Sequence, residues 1–513
     1  MIDLIRQRPS ILWVLLALNI LLSYWAYIAD PVINNDGVLY VSLARIGLLG
    51  DWPTVFTSYD WPLYSGIIAG VSAVTGMSAE SAAYCLNAAL IILLAAAFTA
   101  IVGELSDYDH RTMVIALVVV VLFPSISKYR SFIVRDFAYL SCYLWSLFFL
   151  IRFCQQPNKI SLIAWLALTL IACLFRFEAV AFVLVAPYLL FHFSGDVLKH
   201  RRIVLLTISL GLLVGVFTAL ILYTQQKYAA SIAVAKQAGL EISSLQDLVF
   251  YNLSARFGQE INSYSALFTV VAGTISDVSY ELVRRMAVVY LVFVLIAIYA
   301  GYALKHALLR RVWLIYVVTN LLVLVAFALV NSFIVSRYLM ATALTLLLLA
   351  PFTIVALLAR WQVAALGQKM LISLAFLVIV VAALDGLNTI TRKQHIRTAG
   401  EWMQTNIPAD ARVYSNSRIA MYYRNIDPYL NLTEEYSSLR LQHYLNQNTL
   451  NRFDYVAIAL NPTFALEVEL AERLMQRYGP ALASAEGPDG RALIIFNTAT
   501  ADKTTMERSS NLR

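Results

Sequence analysis

Apolar runs close to the length needed to cross a bilayer recur along the first three quarters of this chain. No other feature constrains the fold as tightly. In hydrocarbon every backbone amide must find its partner within the chain, and segments of this length manage that only as helices. Of 513 residues, 60% are hydrophobic and 13% charged, with a mean hydropathy of +0.71. A soluble globular domain would expose far too much apolar surface at that balance. The expected fold is therefore a polytopic α-helical membrane protein. Spans are expected near 11–29, 82–102, 112–127, 136–152, 160–175, 179–193, 203–223, 287–304, 312–330, 338–358 and 370–388. That makes about eleven transmembrane helices. The shorter apolar stretch 63–76 reads as an interfacial helix.

Basic residues alternate between the connections. Arg6 and Arg8, Arg152 and Lys159, Lys199, Arg201 and Arg202, Lys305, Arg310 and Arg311, and Arg360 and Lys369 share one side. By the positive-inside rule that side is cytoplasmic, and the N-terminus with it. The first span has arginines ahead of it but no small-residue cleavage site behind it, which reads as a retained anchor. The trans side then holds 30–81, 224–286 and everything after about 389. Within 224–286, residues 225–237 and 248–257 are amphipathic and suit the membrane surface.

Composition changes sharply after Leu387. Helical stretches at 394–405, 437–447 and 463–478 alternate with strands at 412–415, 455–460 and 492–496, which argues a small α/β domain on the trans face. The expected organisation is a membrane domain over 1–388 with outer loops 30–81 and 224–286, an α/β domain over 389–497 and a disordered tail over 498–513.

Several classes of function are disfavoured. The net charge of +7 is spread over loops without a polybasic run, so it speaks for a membrane and not for nucleic acid. His110, His192, His200 and His306 fall on the cytoplasmic side, and His395 and His443 in the terminal domain. Cys85, Cys142, Cys154 and Cys173 lie in or at the ends of spans, where small apolar packing explains them. No histidine or cysteine cluster suits zinc, and no glycine loop suits a nucleotide. Energy for any reaction must arrive with an activated substrate delivered through the lipid.

Acids are scarce, which makes those near the trans surface informative. Asp36, in Asn34-Asn35-Asp36-Gly37, is placed to accept the proton of an attacking hydroxyl, although the same residues also suit a plain turn. Asp60 lies in Tyr59-Asp60-Trp61-Pro62-Leu63-Tyr64. It could instead start the interfacial helix, with its aromatic neighbours forming an interfacial belt. Asp136 heads a span beside Arg135, and Lys128, Arg130 and Arg135 give three cations suited to phosphate oxygens. A helix-terminus charge pair is the simpler account of Arg135 and Asp136. Arg176 and Glu178 punctuate the hinge between two close spans, as an ion pair or as part of a site. Arg337-Tyr338 opens a late span and suits a lipid phosphate, or ordinary snorkelling.

Together these elements resemble the GT-C membrane glycosyltransferases, in the bacterial branch related to protein O-mannosyltransferase and the lipid A aminoarabinose transferase. The likeness rests on the acid loop after the first span, Asp60-Trp61-Pro62-Leu63 before a short helix, and Arg337-Tyr338-Leu339. Glu401-Trp402-Met403, Ile407-Pro408 and Arg412-Val413-Tyr414-Ser415 extend it into the terminal domain. The resemblance implies that Asp36 matches the catalytic aspartate. Asp60 takes the place of the acid in a Glu-Lys-Pro-Pro element, here without its lysine. The usual Asp-Glu pair of the first loop is Asp36-Gly37 here, and Arg176-Phe177-Glu178 is similar to an Arg-Pro-Glu element.

The implied activity is inverting transfer of a sugar from a polyprenyl-phosphate donor to a glycan, lipid or protein acceptor at the periplasmic face of the cell inner membrane. Asp36, Asp60 and Asp136 would serve catalysis. Arg337, Tyr338, Lys128, Arg130, Arg135 and Arg176 would bind the donor phosphate, with Glu178 beside them. No metal is required, though one held by Asp36 and Asp60 is conceivable. The competing reading is a transporter or flippase of a lipid-linked saccharide, and a polysaccharide polymerase or ligase is a third. Transporters place charges near the midplane on broken helices, whereas here they gather at one face.

Overall fold

A computed structural model describes residues 9–185, 264–302, 307–331, 335–387, 393–427 and 436–498. The chain divides into two compact units. One comprises residues 1–22, 89–129 and 135–388, and the other 23–88, 130–134 and 389–513.

The first unit is helical. Among the described residues five helices are long and apolar enough to cross a membrane: Ala79–Leu105, His110–Lys128, Asp136–Gln155, Leu308–Leu329 and Leu366–Leu387. The number becomes seven if two bent pairs each count as one span, so the expected eleven are not reached among the described residues. Two reasons account for the difference. Trp13–Ala29 and Lys159–Phe175 are apolar but shorter than a full crossing, and 203–223 with most of 179–193 lies outside the described residues. The expected amphipathic stretches 225–237 and 248–257, and all of the expected tail but residue 498, also lie outside them.

The end of the expected outer segment 224–286 is helical. Tyr264–Arg285 is one helix, and it meets Val289–Ala300 at a bend of 98°. Its charges concealed this, because Asp277, Glu281, Arg284 and Arg285 lower its hydropathy. Val270, Thr274, Val278, Leu282 and Met286 nevertheless form a buried stripe at a spacing of four, the mark of a helix packed on one face. At the bend Ala287 and Val288 take φ of 50° and 51°, a left-handed conformation costly for a β-branched residue.

Polar groups join the spans of this unit from within. Asn320 donates to the Tyr143 hydroxyl at 2.8 Å, and Tyr143 also bonds Thr345. Ser146 bonds Thr169 at 2.7 Å, and Trp165 donates to Tyr316 at 3.2 Å. Such bonds matter between membrane helices, where lipid tails compete equally well for apolar contact.

The second unit combines the first outer segment with the terminal domain. Residues 30–81 are not an open loop: they fold into helices Asn35–Leu48, Trp52–Ser58 and Leu63–Thr75, followed by the start of Ala79–Leu105. Tyr64 is fully buried and stacks edge-on against Tyr40 at 5.0 Å, so it belongs to a core and not to an interfacial belt. The terminal sheet has strands β1 (Val413–Ser415), β2 (Tyr455–Leu460), β3 (Ala483–Glu486) and β4 (Ala492–Asn497), in the order β1-β2-β4-β3. The β1–β2 pair is parallel, and β4 runs antiparallel to both β2 and β3. Helices Gln394–Asn406, Arg418–Tyr423, Ser438–Asn446 and Ala465–Tyr478 complete it. Tyr414, Val456, Ile458, Leu470 and Phe496 lie at the centre of its core.

Gly400 sets how closely two of these helices approach. A Cβ there would stand 2.7 Å from both the Ala420 carbonyl oxygen and Tyr423 Cβ. Gly400→Leu should therefore destabilise the terminal unit by about 1–3 kcal/mol, the usual range for overpacking. The check is the apparent melting temperature of the purified protein. A variant melting with the wild type would refute this account of the packing.

Candidate functional site

In the first unit a buried charge cluster forms where three turns meet. Asp136 is the first residue of the helix Asp136–Gln155, where the helix dipole favours an acid. Arg176 ends the helix Lys159–Phe175, whose chain stops at an extended residue and re-enters as a single 3₁₀ turn, Phe177–Ala179. Asp136 and Arg176 are 4% and 5% exposed, too little for either to stay charged without a partner. They supply each other: an Arg176 Nη donates to Asp136 Oδ1, and the rest of its fork grips Glu178, with Nε at 3.2 Å from Oε2.

Arg337 and Tyr338 come from the 3₁₀ turn Ser336–Leu339. The Tyr338 ring lies 4.1 Å from the Arg176 guanidinium, and Tyr338 stacks edge-on against Phe327 at 4.6 Å. Arg337 Nε stands 3.8 Å from Asp136 Oδ2, a looser contact than Arg176 makes. Asp136, Arg176, Glu178, Arg337 and Tyr338 line one pocket together with Asn320. Five of the expected site residues thus come together although the chain separates them by up to two hundred positions.

The remaining cations are distributed differently. Arg135 acts favourably on Glu178 through its charge. Lys128 is exposed at the end of the short helix Pro124–Lys128. Arg130 belongs to the second unit, where it is 3% exposed and donates to the Ser23 hydroxyl at 3.3 Å. Its burial pulls its pKa down to about 10.

Asp36 also lies in the second unit, half-buried in the first turn of the helix Asn35–Leu48. The Asn-Asn-Asp-Gly run is therefore a helix start and not a free turn. Asn34 occupies the capping position, but its side chain does not cap the helix. Its amide instead clamps Ile133, accepting from the backbone nitrogen at 2.9 Å and donating to the carbonyl at 3.2 Å. This clamp explains Gly37 as well. A Cβ at position 37 would stand 2.8 Å from Asn34 Oδ1 and 3.1 Å from Ile133 Cβ, so the larger second acid of the usual pair has no room. Asp60 is exposed in the connection 59–62, and the capping residue of the next helix is Pro62, not Asp60.

Sequence reasoning missed residues around Asp36. Burial pushes the Asp30 carboxyl up, against the opposing pull of Lys393. Burial likewise pulls the Lys393 ammonium down, while Asp30 and Asp36 favour its charge and Arg491 opposes it. Lys393 was hidden because nothing in a sequence pairs residue 393 with residue 36. The Tyr423 hydroxyl accepts from the Ile33 amide at 3.0 Å, and Tyr422 donates to Glu80 at 2.6 Å while accepting from Arg45 at 2.9 Å. These bonds hold the helix Arg418–Tyr423 onto the first outer segment. Among the described residues no three His, Cys, Asp or Glu side chains converge as a metal site would require.

No protein-family model matches the chain, and no curated protein matches it. Solved structures do. The oligosaccharyltransferase of Archaeoglobus fulgidus, solved in complex with Zn and sulfate, aligns with a TM-score of 0.54 at 12% identity, over 94% of this chain and 73% of its own. ArnT from Cupriavidus metallidurans aligns in the apo state at 0.51 and 14% identity, over 95% of this chain and 98% of its own. The same protein bound to undecaprenyl phosphate aligns at 0.50 and 12% identity. The chain thus has the GT-C fold implied by its sequence resemblance, in a polytopic helical membrane protein.

Asn34→Leu should remove both clamping bonds and strand the Ile133 backbone groups. The expected cost is about 2–3 kcal/mol, seen as a lower melting temperature of the purified protein. An unchanged melting temperature would show that the clamp is not what fixes the first turn bearing Asp36.

Proposed function

We propose that the chain is an inverting glycosyltransferase, moving a sugar from a polyprenyl-phosphate donor to an acceptor hydroxyl at the periplasmic face of the cell inner membrane. The observation that carries this reading is the pocket lined by Asp136, Arg176, Glu178, Arg337 and Tyr338. Two acids and two arginines held at low exposure in an apolar fold are costly, and such groups are kept where chemistry needs them. The GT-C fold, shared with a protein solved with undecaprenyl phosphate, supports the same direction.

In this proposal the residues take the following roles. Both ends of the Arg176 fork are engaged by carboxylates, so Arg176, Asp136 and Glu178 form the frame of the pocket. Arg337 stands 3.8 Å from Asp136 at the same pocket, and it is the cation assigned to the lipid phosphate. Guanidinium–phosphate pairing is strong and directional. Tyr338 fixes the turn that presents Arg337, and Arg135 adds positive charge. Lys128 adds to the field felt by the phosphate. Asp36 takes the proton of the acceptor hydroxyl as its oxygen attacks the anomeric carbon. The bond from that carbon to the phosphate oxygen breaks, and the departing polyprenyl phosphate carries the electron pair against Arg337. Asp60 orients the donor.

Asp36→Asn should lower transfer from a polyprenyl-phosphate donor by about 10²–10⁴-fold, the usual worth of a general base, with membrane insertion unchanged. Arg337→Ala should raise the KM for the donor and lower kcat together. Radiolabelled sugar transfer in membranes measures both and identifies the acceptor by where the label goes. Full turnover by the Asp36 variant would overturn the mechanism.

A further inference from the structure

The candidate base has a charged neighbour that the proposed transfer step leaves without a role. Lys393 occupies the capping position ahead of the helix Gln394–Asn406. One turn later Arg397 donates to the Pro31 carbonyl at 3.4 Å, and its guanidinium lies 5.2 Å from the Tyr423 ring. The Tyr423 hydroxyl accepts from the Ile33 amide at 3.0 Å. The start of that helix is thereby fixed against residues 31–33, the short stretch that separates Asp30 from Asp36 in the chain.

The lysine side chain is placed by the same neighbourhood. Its ammonium stands 6.0 Å from the Phe132 ring, and the next residue, Ile133, is the one that Asn34 clamps at both backbone groups. Lys393 and Asn35 line one cleft, and Asp36 follows Asn35. Burial works against the ammonium, Asp30 and Asp36 favour it, and Arg491, immediately before β4, opposes it. The other basic groups nearby are committed elsewhere. Arg130 donates to the Ser23 hydroxyl, Arg45 to Tyr422 and Arg397 to Glu401. His395, two residues on, is held toward its neutral form by burial and by Arg491.

Asp30 is the more enclosed partner. Its Oδ1 is shut off from solvent without a hydrogen-bond partner among the described residues, and Lys393 is the cation that acts on it. An enclosed carboxylate needs such a counter-charge. One ammonium therefore serves two carboxylates. When Asp36 takes the proton of the acceptor hydroxyl, it gives up its claim on Lys393, and the pair of Lys393 with Asp30 remains without net charge. We propose that Lys393 and Asp30 are positioning residues for Asp36: Lys393 holds the Asp36 carboxylate at the first turn of its helix, and Asp30 takes up the ammonium once Asp36 is protonated. The work of Asp36 as base rests on the glycosyltransferase reading above; the coupling of the three groups does not.

The test is titration of the Asp36 carboxyl by infrared difference spectroscopy on the full-length protein in nanodiscs, which needs no turnover. Subtracting the spectrum of Asp36→Asn at each pH isolates the carboxyl of residue 36. Lys393→Met removes the cation and should raise the pH of half-protonation by about one unit, the usual effect of one close opposite charge. Asp30→Asn should lower it, because the ammonium then has a single carboxylate to serve. Lys393→Arg keeps the charge and should leave the midpoint near that of the wild type. A general loosening of the fold would move the first two variants the same way, whereas the coupling moves them apart. The acid limb of transfer activity should follow the midpoints in both directions. Either variant alone is decisive: a midpoint unmoved, or moved in the other sense, overturns the proposal. Opposite shifts in a protein with no transfer activity would refute the transferase reading and leave the coupled group standing.

Discussion

The grip of Arg176 on Asp136 and Glu178 is the interaction on which the membrane unit depends. One guanidinium joins the head of the helix Asp136–Gln155 to the turn that follows Lys159–Phe175, and its face carries the Tyr338 ring. Three breaks in the helical framework are thereby held at one point. The alternative arrangements are poor: an ionised Asp136 at 4% exposure without a cation would face a desolvation cost of several kcal/mol. The cluster thus has a structural role of its own. Two carboxylates fix one arginine, and Arg337 approaches the same Asp136 from the turn Ser336–Leu339.

The second unit solves a different problem, the positioning of one acid on a short helix. Asn34 could have capped that helix, but its amide binds Ile133 instead. Tyr422 and Tyr423 bring the terminal domain to the same segment through Glu80, Arg45 and Ile33. Asp36 is consequently flanked by backbone from residues 30–48 and by Lys393 from the terminal domain. A domain that looks like an appendage in the sequence contributes a charge beside the candidate base.

Legibility in the sequence followed the range of the physics involved. Helices with uniform apolar composition were readable, as were Tyr455–Leu460 and Ala492–Asn497, whose apolar runs suit buried strands. The helix Tyr264–Arg285 was not, because its charges mask a buried stripe on one face. Ala483–Glu486 escaped because it is a half-exposed edge strand with little apolar signal. At the site, scarcity made the acids and Arg337 conspicuous, and the pocket gathers Asp136, Arg176, Glu178, Arg337 and Tyr338. Lys393 stayed hidden, since only folding brings it into the field of Asp30 and Asp36.

Departures from the family pattern become intelligible in the same terms. The lysine missing from Asp60-Trp61-Pro62-Leu63 and the acid missing at Gly37 look like losses when read along the chain. Gly37 has a steric cause, since the Ile133 clamp leaves no space for a side chain. A cation does reach the first outer segment, but as Lys393, from the opposite end of the sequence and in the field of Asp30 and Asp36. A lysine with its four-carbon stem at the start of a helix can deliver its charge to an acid without sharing its motif. What the chain shares with the solved structures at 12–14% identity is the fold, and the residues around Asp36 are its own.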